Sequence, residues 1–269
     1  MALKRKQATV NDVVHVLDEL ARPSLAEEWD NVGLLVGHGD KPVKVILTAL
    51  DFSKEVLDEA IKQKADMIVT HHPAIFKKLK ALTNEDWRTN LLLQAVEHGI
   101  AIYSAHTNLD AALGGVNDVL AEYLDLKNIE NLSEEDGTVN GIGRIGTLDK
   151  AMDLNRFAAK VKKCLDLDYV LVASADKKVK KVAVCGGSGM DFLDLVIASG
   201  ADTYVTGDVK YHNAQDAIGH GINIIDASHQ GTELPIVNNW ADRLALRLTR
   251  RDLNVKVLVA KESKLLKVM

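Results

Sequence analysis

Cysteine is almost missing from this chain of 269 residues, occurring only as Cys164 and Cys185. Two thiols exclude a disulfide framework and a thiolate-cluster zinc site, and they suit a reduced compartment. Long hydrophobic runs are missing too. The longest unbroken apolar stretch, Tyr169 to Ala173, is five residues, far short of the roughly 20 that span a bilayer. An excess of positive charge is also lacking. The 33 basic and 38 acidic side chains leave a formal charge of −5, which argues against a chain-wide grip on nucleic acid while leaving room for a local basic patch. Lys4, Arg5 and Lys6 could open a signal peptide, but Asn11, Asp12, Asp18 and Glu19 interrupt any apolar segment behind them. These absences point to a cytoplasmic protein with no membrane partner.

What is present is an ordinary globular balance, 47 % hydrophobic and 26 % charged, on a chain long enough for one large or two mid-sized domains. Apolar periodicity predicts helices near 9–20, 53–63, 86–97, 116–123, 153–165 and 233–250. Short buried strands fall at 33–36, 43–50, 67–70, 101–104, 169–173, 179–185, 203–206, 223–225 and 254–260. The polar stretch Glu130 to Gly146, with Ser133, Glu134, Glu135, Asp136 and several glycines, is the best linker candidate. Strands alternating with helices predict βαβ units and largely parallel sheets.

The two halves also match residue by residue. Ala65-Asp66-Met67-Ile68-Val69-Thr70 aligns with Ala201-Asp202-Thr203-Tyr204-Val205-Thr206, and Val43-Lys44 with Val179-Lys180 at the same offset. His98-Gly99-Ile100-Ala101-Ile102 aligns with His220-Gly221-Ile222-Asn223-Ile224, but at an offset shorter by 14 residues. The first half therefore carries an extra segment after His72. A duplicated α/β unit follows, with a cleft expected between the copies.

In parallel α/β sheets ligands bind beyond the carboxyl ends of the strands. Those ends carry Asp51, Thr70-His71-His72-Pro73, Ser104-Ala105-His106-Thr107-Asn108-Leu109-Asp110, Cys185-Gly186-Gly187, Gly207-Asp208 and Ser228-His229-Gln230-Gly231-Thr232-Glu233. Strand alternation would make the His71 and His72 side chains diverge, each serving a different ion. Each feature has a plainer reading: exposed loop histidines, Glu233 favoured by a helix dipole, or Lys77, Lys78 and Lys80 as a solvated face. Together, three histidines and two carboxylates drawn from both halves form a mixed nitrogen–oxygen set suited to Zn, Fe, Mn, Co or Ni. Five ligands exceed one tetrahedral site and suit two ions sharing a bridging carboxylate. His106 and Asn108 would orient these ligands or serve as turn residues. Gly186 to Gly189 is a tight turn or an approach to phosphate, and Cys185 a core residue.

Glu28-Trp29-Asp30-Asn31-Val32-Gly33-Leu34, Thr70-His71-His72-Pro73, His106-Thr107-Asn108-Leu109-Asp110, Thr206-Gly207-Asp208 and Ser228-His229 with Glu233 follow one another along the chain. In this order they resemble the NIF-three-like family, also labelled GTP cyclohydrolase I type 2 homologues or dinuclear metal centre proteins. The resemblance implies two intertwined, internally duplicated α/β domains, residues 1–126 plus 234–269 and residues 127–233, with a metal-binding cleft between them. It implies two divalent ions per subunit, one on His72 and Asp110, the other on His71 and His229. Glu233 would be the bridge and the residue given a catalytic role. It further implies a homohexameric ring, and it leaves room for a nucleotide or other phosphorylated small molecule as partner, which Lys77 to Lys80 could meet if they are more than a solvated face. The activity implied is metal-dependent hydrolysis of the GTP cyclohydrolase kind. The alternative is a non-catalytic, metal-binding interaction protein.

Overall fold

The computed structural model describes residues 7–133 and 141–268. Its strands are β1 (Ala8–Thr9), β2 (Gly33–Val36), β3 (Pro42–Val43), β4 (Val45–Ala49), β5 (Met67–Thr70), β6 (Ala101–Ser104), β7 (Lys127–Asn131), β8 (Arg144–Met152), β9 (Leu171–Ala173), β10 (Val179–Val184), β11 (Thr203–Thr206), β12 (Asn223–Asp226) and β13 (Lys256–Val259). Its helices are α1 (Val10–Leu20), α2 (Lys54–Gln63), α3 (Trp87–Glu97), α4 (Thr107–Ala111), α5 (Val116–Tyr123), α6 (Leu154–Cys164), α7 (Leu193–Ala198), α8 (Tyr211–Gly219), α9 (His229–Glu233) and α10 (Pro235–Arg250). None of the described helices is long and apolar enough to cross a membrane.

The chain forms two units and is interleaved between them. The first takes the residues up to Leu109 and returns for Val237–Ser263; the second takes Asp110–Ile236 and the residues from Lys264 on. The sequence placed the changes at 126/127 and 233/234. The difference at the first change is a matter of packing: Leu120, Ala121, Leu124 and Leu126, in and after α5, are buried in one core with Phe157, Val182 and Val184.

The sheet of the first unit has the order β13-β4-β5-β6-β2, parallel except for β2. Its inner strands β5 and β6 are buried at every residue, as expected for short apolar runs covered on both faces. Leu47, Val56, Leu57, Ile68, Leu91 and Ile102 lie in its core. Helix α1 starts on a capping box in which Thr9 accepts from the Asp12 amide and the Asp12 carboxylate accepts from the Thr9 amide.

The sheet of the second unit has the order β7-β8-β10-β11-β12-β9, with β10, β11 and β12 parallel. Alternate residues of β10 enter different cores, Val182 and Val184 one, Ala183 the other, as side-chain alternation requires.

The duplication is visible in topology and in single hydrogen bonds. In each unit a helix and an antiparallel edge strand (α1 and β2, α6 and β9) precede the parallel trio, and the edge strand pairs with the trio's last member. Asp66 accepts from the amides of Lys44 and Val45, and Asp202 from those of Lys180 and Lys181. These are the same partners at the offset read from the sequence.

Two expectations need correction. The stretch 130–146 is no simple linker: Glu130 and Asn131 close β7, and β8 begins at Arg144 and pairs antiparallel with it. Polar composition hid an edge strand and the buried Arg144, whose guanidinium grips Asp118 at 2.6 and 2.9 Å. Glu134, Glu135 and Asp136 lie outside the described residues, as do Lys4, Arg5 and Lys6. The final helix does not run unbroken from Glu233. Pro235, which has no amide proton, opens a new helix after α9.

Candidate metal centre

In the first unit, the pairing of β4 with β5 continues past the strand end. The amides of His71 and His72 donate to the carbonyls of Ala49 and Leu50 at 3.2 and 2.9 Å, and the Thr70 hydroxyl donates to the His72 carbonyl at 2.8 Å. Because both histidines stand just beyond the strand, alternation no longer governs them. Their rings lie 5.1 Å apart between centroids, tilted by 41°, and do not diverge as the sequence suggested. His106 joins them, its ring 5.3 Å from that of His71. One ring nitrogen from each of the three lies within 4.8 Å of the others.

Each ring is held from behind by oxygen. His71, buried, places Nδ1 2.9 Å from the carbonyl of Ala105, which can only accept. His72 Nδ1 lies 2.8 Å from Oδ1 of Asp51 and His106 Nδ1 3.0 Å from Oδ1 of Asp30. An Nδ1 proton spent on such an acceptor leaves the lone pair on Nε2, the tautomer a metal requires.

The supporting carboxylates are themselves fixed. Asp30 also accepts from the amide and hydroxyl of Thr107 at 3.0 and 2.5 Å. Burial alone would raise its pKa, but the hydrogen bonds from His106 and Thr107 more than reverse this and hold it well below the usual carboxylate range. Behind Asp51 stands Glu262, whose two oxygens accept from the amides of Leu50 at 2.6 Å and Asp51 at 3.0 Å. Burial raises the Glu262 pKa despite those donors.

In the second unit, His229 opens α9. The residue before it, Ser228, caps the helix by accepting from the Gly231 amide and adopts φ 61°, ψ 155°, a conformation almost confined to glycine. His229 Nδ1 lies 2.7 Å from Oδ2 of Asp208, repeating the pattern of the first unit. Its Nε2 lies 3.2 Å from Oε2 of Glu233, four residues along the helix and buried. Asp110 in α4 brings a carboxylate oxygen within 4.8 Å of one from Glu233. With the Nδ1 proton given to Asp208, Nε2 and the Glu233 oxygen face each other as two electron-pair donors, which a cation, a proton or a metal ion, would hold together. The donor set thus fits a cation.

Glycines allow this crowding. A Cβ on Gly187, at φ +65°, would sit 2.2 Å from Oε1 of Glu233, and one on Gly207 2.5 Å from the His229 amide nitrogen. The Gly186–Gly189 turn therefore packs against Glu233, with its Gly187 amide donating to the Thr232 hydroxyl at 2.9 Å. Buried Cys185 lies in the core, its thiol pushed up by burial first and then by the Asp110 charge.

All five residues expected as ligands thus lie beyond strand ends: His71 and His72 directly after β5, Asp110 in α4, and His229 and Glu233 at the two ends of α9. His106 ranks with the histidine group rather than only behind it. Asn108 is instead a structural residue whose amide donates to the carbonyl of Ala21 at 2.9 Å. The roles of Asp30, Asp51, Asp208 and Glu262 escaped sequence reasoning, although Asp51 and Asp208 were conspicuous as acids ending strands.

The model of the family Duf34/NIF3 (NGG1p interacting factor 3) matches residues 8–265. A protein of Clostridium acetobutylicum named GTP cyclohydrolase 1 type 2 homolog is 35 % identical over 257 residues, covering 94 % of this chain and 96 % of that protein. Among solved structures, a Staphylococcus aureus hypothetical protein superposes with a TM-score of 0.94 at 30 % identity, covering 98 % of this chain and 100 % of that one. A Bacillus cereus protein related to NIF3 gives 0.91 at 29 % identity, covering 96 % and 98 %. Matched along nearly its whole length, and carrying histidine and carboxylate groups that could hold a metal ion, the chain belongs to the Duf34/NIF3 family.

Proposed function

We propose that this protein is a hydrolase dependent on two divalent ions, acting on a nucleotide-type substrate in the manner its relatives' name, GTP cyclohydrolase 1 type 2 homolog, suggests. The ligands are His72 and Asp110 for one ion, His71 and His229 for the other, with Glu233 as the bridge. The observation that carries the reading is the shared seating of the imidazoles on oxygen acceptors through Nδ1. His71, His72 and His229 each place Nδ1 2.7–2.9 Å from an oxygen acceptor and so reserve Nε2 for a ligand. Loop histidines with only a structural task have no reason to share that arrangement.

Two divalent ions held there would supply Lewis acidity, lowering the pKa of water and offsetting the negative charge that develops as water adds to the substrate. The chain's own residues do the rest. Asp51, Asp208 and the Ala105 carbonyl hold the imidazoles in one tautomer and orientation. Glu233, buried against the 186–187 turn, keeps its carboxylate in place between Asp110 and His229. The donor set admits Zn, Fe, Mn, Co or Ni. We place the protein in the cytoplasm, in keeping with its composition, and as a homohexameric ring, as the resemblance implies.

The test measures the metal content of protein purified without chelator, then formate release from GTP beside a panel of phosphoesters. The expected result is near two ions per chain and metal-dependent turnover that His71→Ala abolishes. Full metal loading with no turnover of any of these substrates, and a His71→Ala variant that loses only stability, would favour the interaction-protein reading that the family's description also carries.

A further inference from the structure

The two repeats differ in length between the second and third strands of the parallel trio, and the difference forms a pocket. The chain takes 28 residues from Thr70 to His98 but 14 from Thr206 to the matching His220. The extra length is the run 73–86, which contains no regular helix or strand. With the start of α3 and residues 51–52, it lines an open pocket of about 710 Å³ within the first unit, with His72 and Asp51 in its wall. A volume of that size admits a molecule as large as a nucleotide.

The lining has two characters. Lys77, Lys78, Lys80 and Arg88 contribute positive charge, and none of the three lysines has an ion-pair partner among the described residues. Of the facing acids, Asp86 is committed to capping α3 through the amides of Arg88 and Thr89 at 2.9 and 3.1 Å, and Asp51 to His72. Glu85 alone remains against four cations. The second character is aromatic: Phe52, Phe76 and Trp87 line the same space. Phe76 and Trp87 are about half exposed, at 49 % and 59 %. The Arg88 guanidinium lies 4.4 Å from the centre of the Trp87 ring. Phe76 reaches back to the histidine group, its ring 6.1 Å from that of His106.

We propose that residues 73–86, present in the first repeat and missing from the second, form a binding site for a phosphorylated molecule with a planar ring. Lys77, Lys78 and Lys80 hold the phosphates, Phe76 and Trp87 cover the ring, and the ligand lies against His72. The assignment rests on the metal-dependent reading in one respect, that His72 belongs to both sites. A structural loop would have no need for unpaired lysines and exposed aromatic rings around a cavity. Burying a Trp or Phe against a flat ring is favourable, and multiple ammonium groups suit phosphate rather than a single carboxylate.

Calorimetric titration of GTP, guanosine and pyrophosphate into the full chain as purified tests this. The expected result is that Lys77→Gln/Lys78→Gln/Lys80→Gln weakens GTP and pyrophosphate at least tenfold while changing guanosine less than twofold. Trp87→Ala weakens guanosine at least fivefold, and both variants keep the wild-type metal content. GTP affinity within twofold of wild type in the triple variant, or no binding of GTP or pyrophosphate to wild type at millimolar concentration, overturns the proposal. The two readings fail separately. A chain that binds GTP through these lysines but holds no metal refutes the hydrolase and keeps the pocket, whereas a metal-loaded chain whose GTP binding ignores the lysines does the reverse.

Discussion

Replacing Gly187 by alanine probes the centre at its tightest point, and the molecule supplies its own control. A Cβ there would stand 2.2 Å from Oε1 of Glu233 and 3.2 Å from Nε2 of His229. Ordinary contact distances oblige the carboxylate to retreat by roughly 1 Å. The residue would also be forced into the left-handed region, at φ +65°, at a cost of about 1–2 kcal/mol. Gly200 has nearly the same backbone, φ +70°, but a Cβ on it would meet nothing within 4 Å. Both alanine variants should therefore lose about 1–2 kcal/mol, with Tm falling about 2–4 °C for each kcal/mol. Only Gly187→Ala displaces Glu233, and mispositioned metal-site groups cost about 10–100-fold in affinity. Competition with a calibrated chelator, on the wild type and both variants, reads the difference. Gly187→Ala binding metal as tightly as Gly200→Ala would refute the claim that Glu233, held by this turn, is a ligand.

Ser228→Gly should raise stability, because it releases a strained backbone worth about 1–3 kcal/mol and loses only a few tenths in capping; an unchanged or lower Tm would show the conformation to be unstrained. Asp51→Ala and Asp208→Ala should each weaken metal binding about 10–100-fold, seen in the same chelator competition, with little change in Tm. Arg144→Met should cost about 3–5 kcal/mol in chemical denaturation by stranding the Asp118 carboxylate, and adding Asp118→Leu should recover part of it. Asp30 is held below its unfolded pKa, so its contribution is fully present above the ordinary carboxylate range and lost as the pH falls through the folded value. The Tm gap between wild type and Asp30→Asn should accordingly be wide at pH 7 and begin to shrink only below about pH 4.

Much of the fold was legible because it is written in local patterns. Continuous apolar runs such as Met67-Ile68-Val69 mark strands buried on both faces, and the repeated Ala-Asp before β5 and β11 marks the duplication. The Asp66 and Asp202 side chains show why that dipeptide recurs: each closes the same pair of backbone amides. What misled was composition. Polar residues around 130 and 144 belong to strands because their partners, not their own hydrophobicity, hold them in place. The histidine pair misled through periodicity, since strand alternation stops where the strand does.

Residue types and their order along the chain were sufficient to name the histidines and carboxylates that gather at strand ends, because parallel strands deliver their last residues to one edge. The tautomer of each imidazole, the inclusion of His106, the chain of support from Glu262 through Asp51 to His72, and the cavity built by residues 73–86 were decided only by tertiary structure. Hydrogen bonds between groups tens or hundreds of residues apart depend on distances of a few tenths of an ångström, and no periodicity along a chain encodes these.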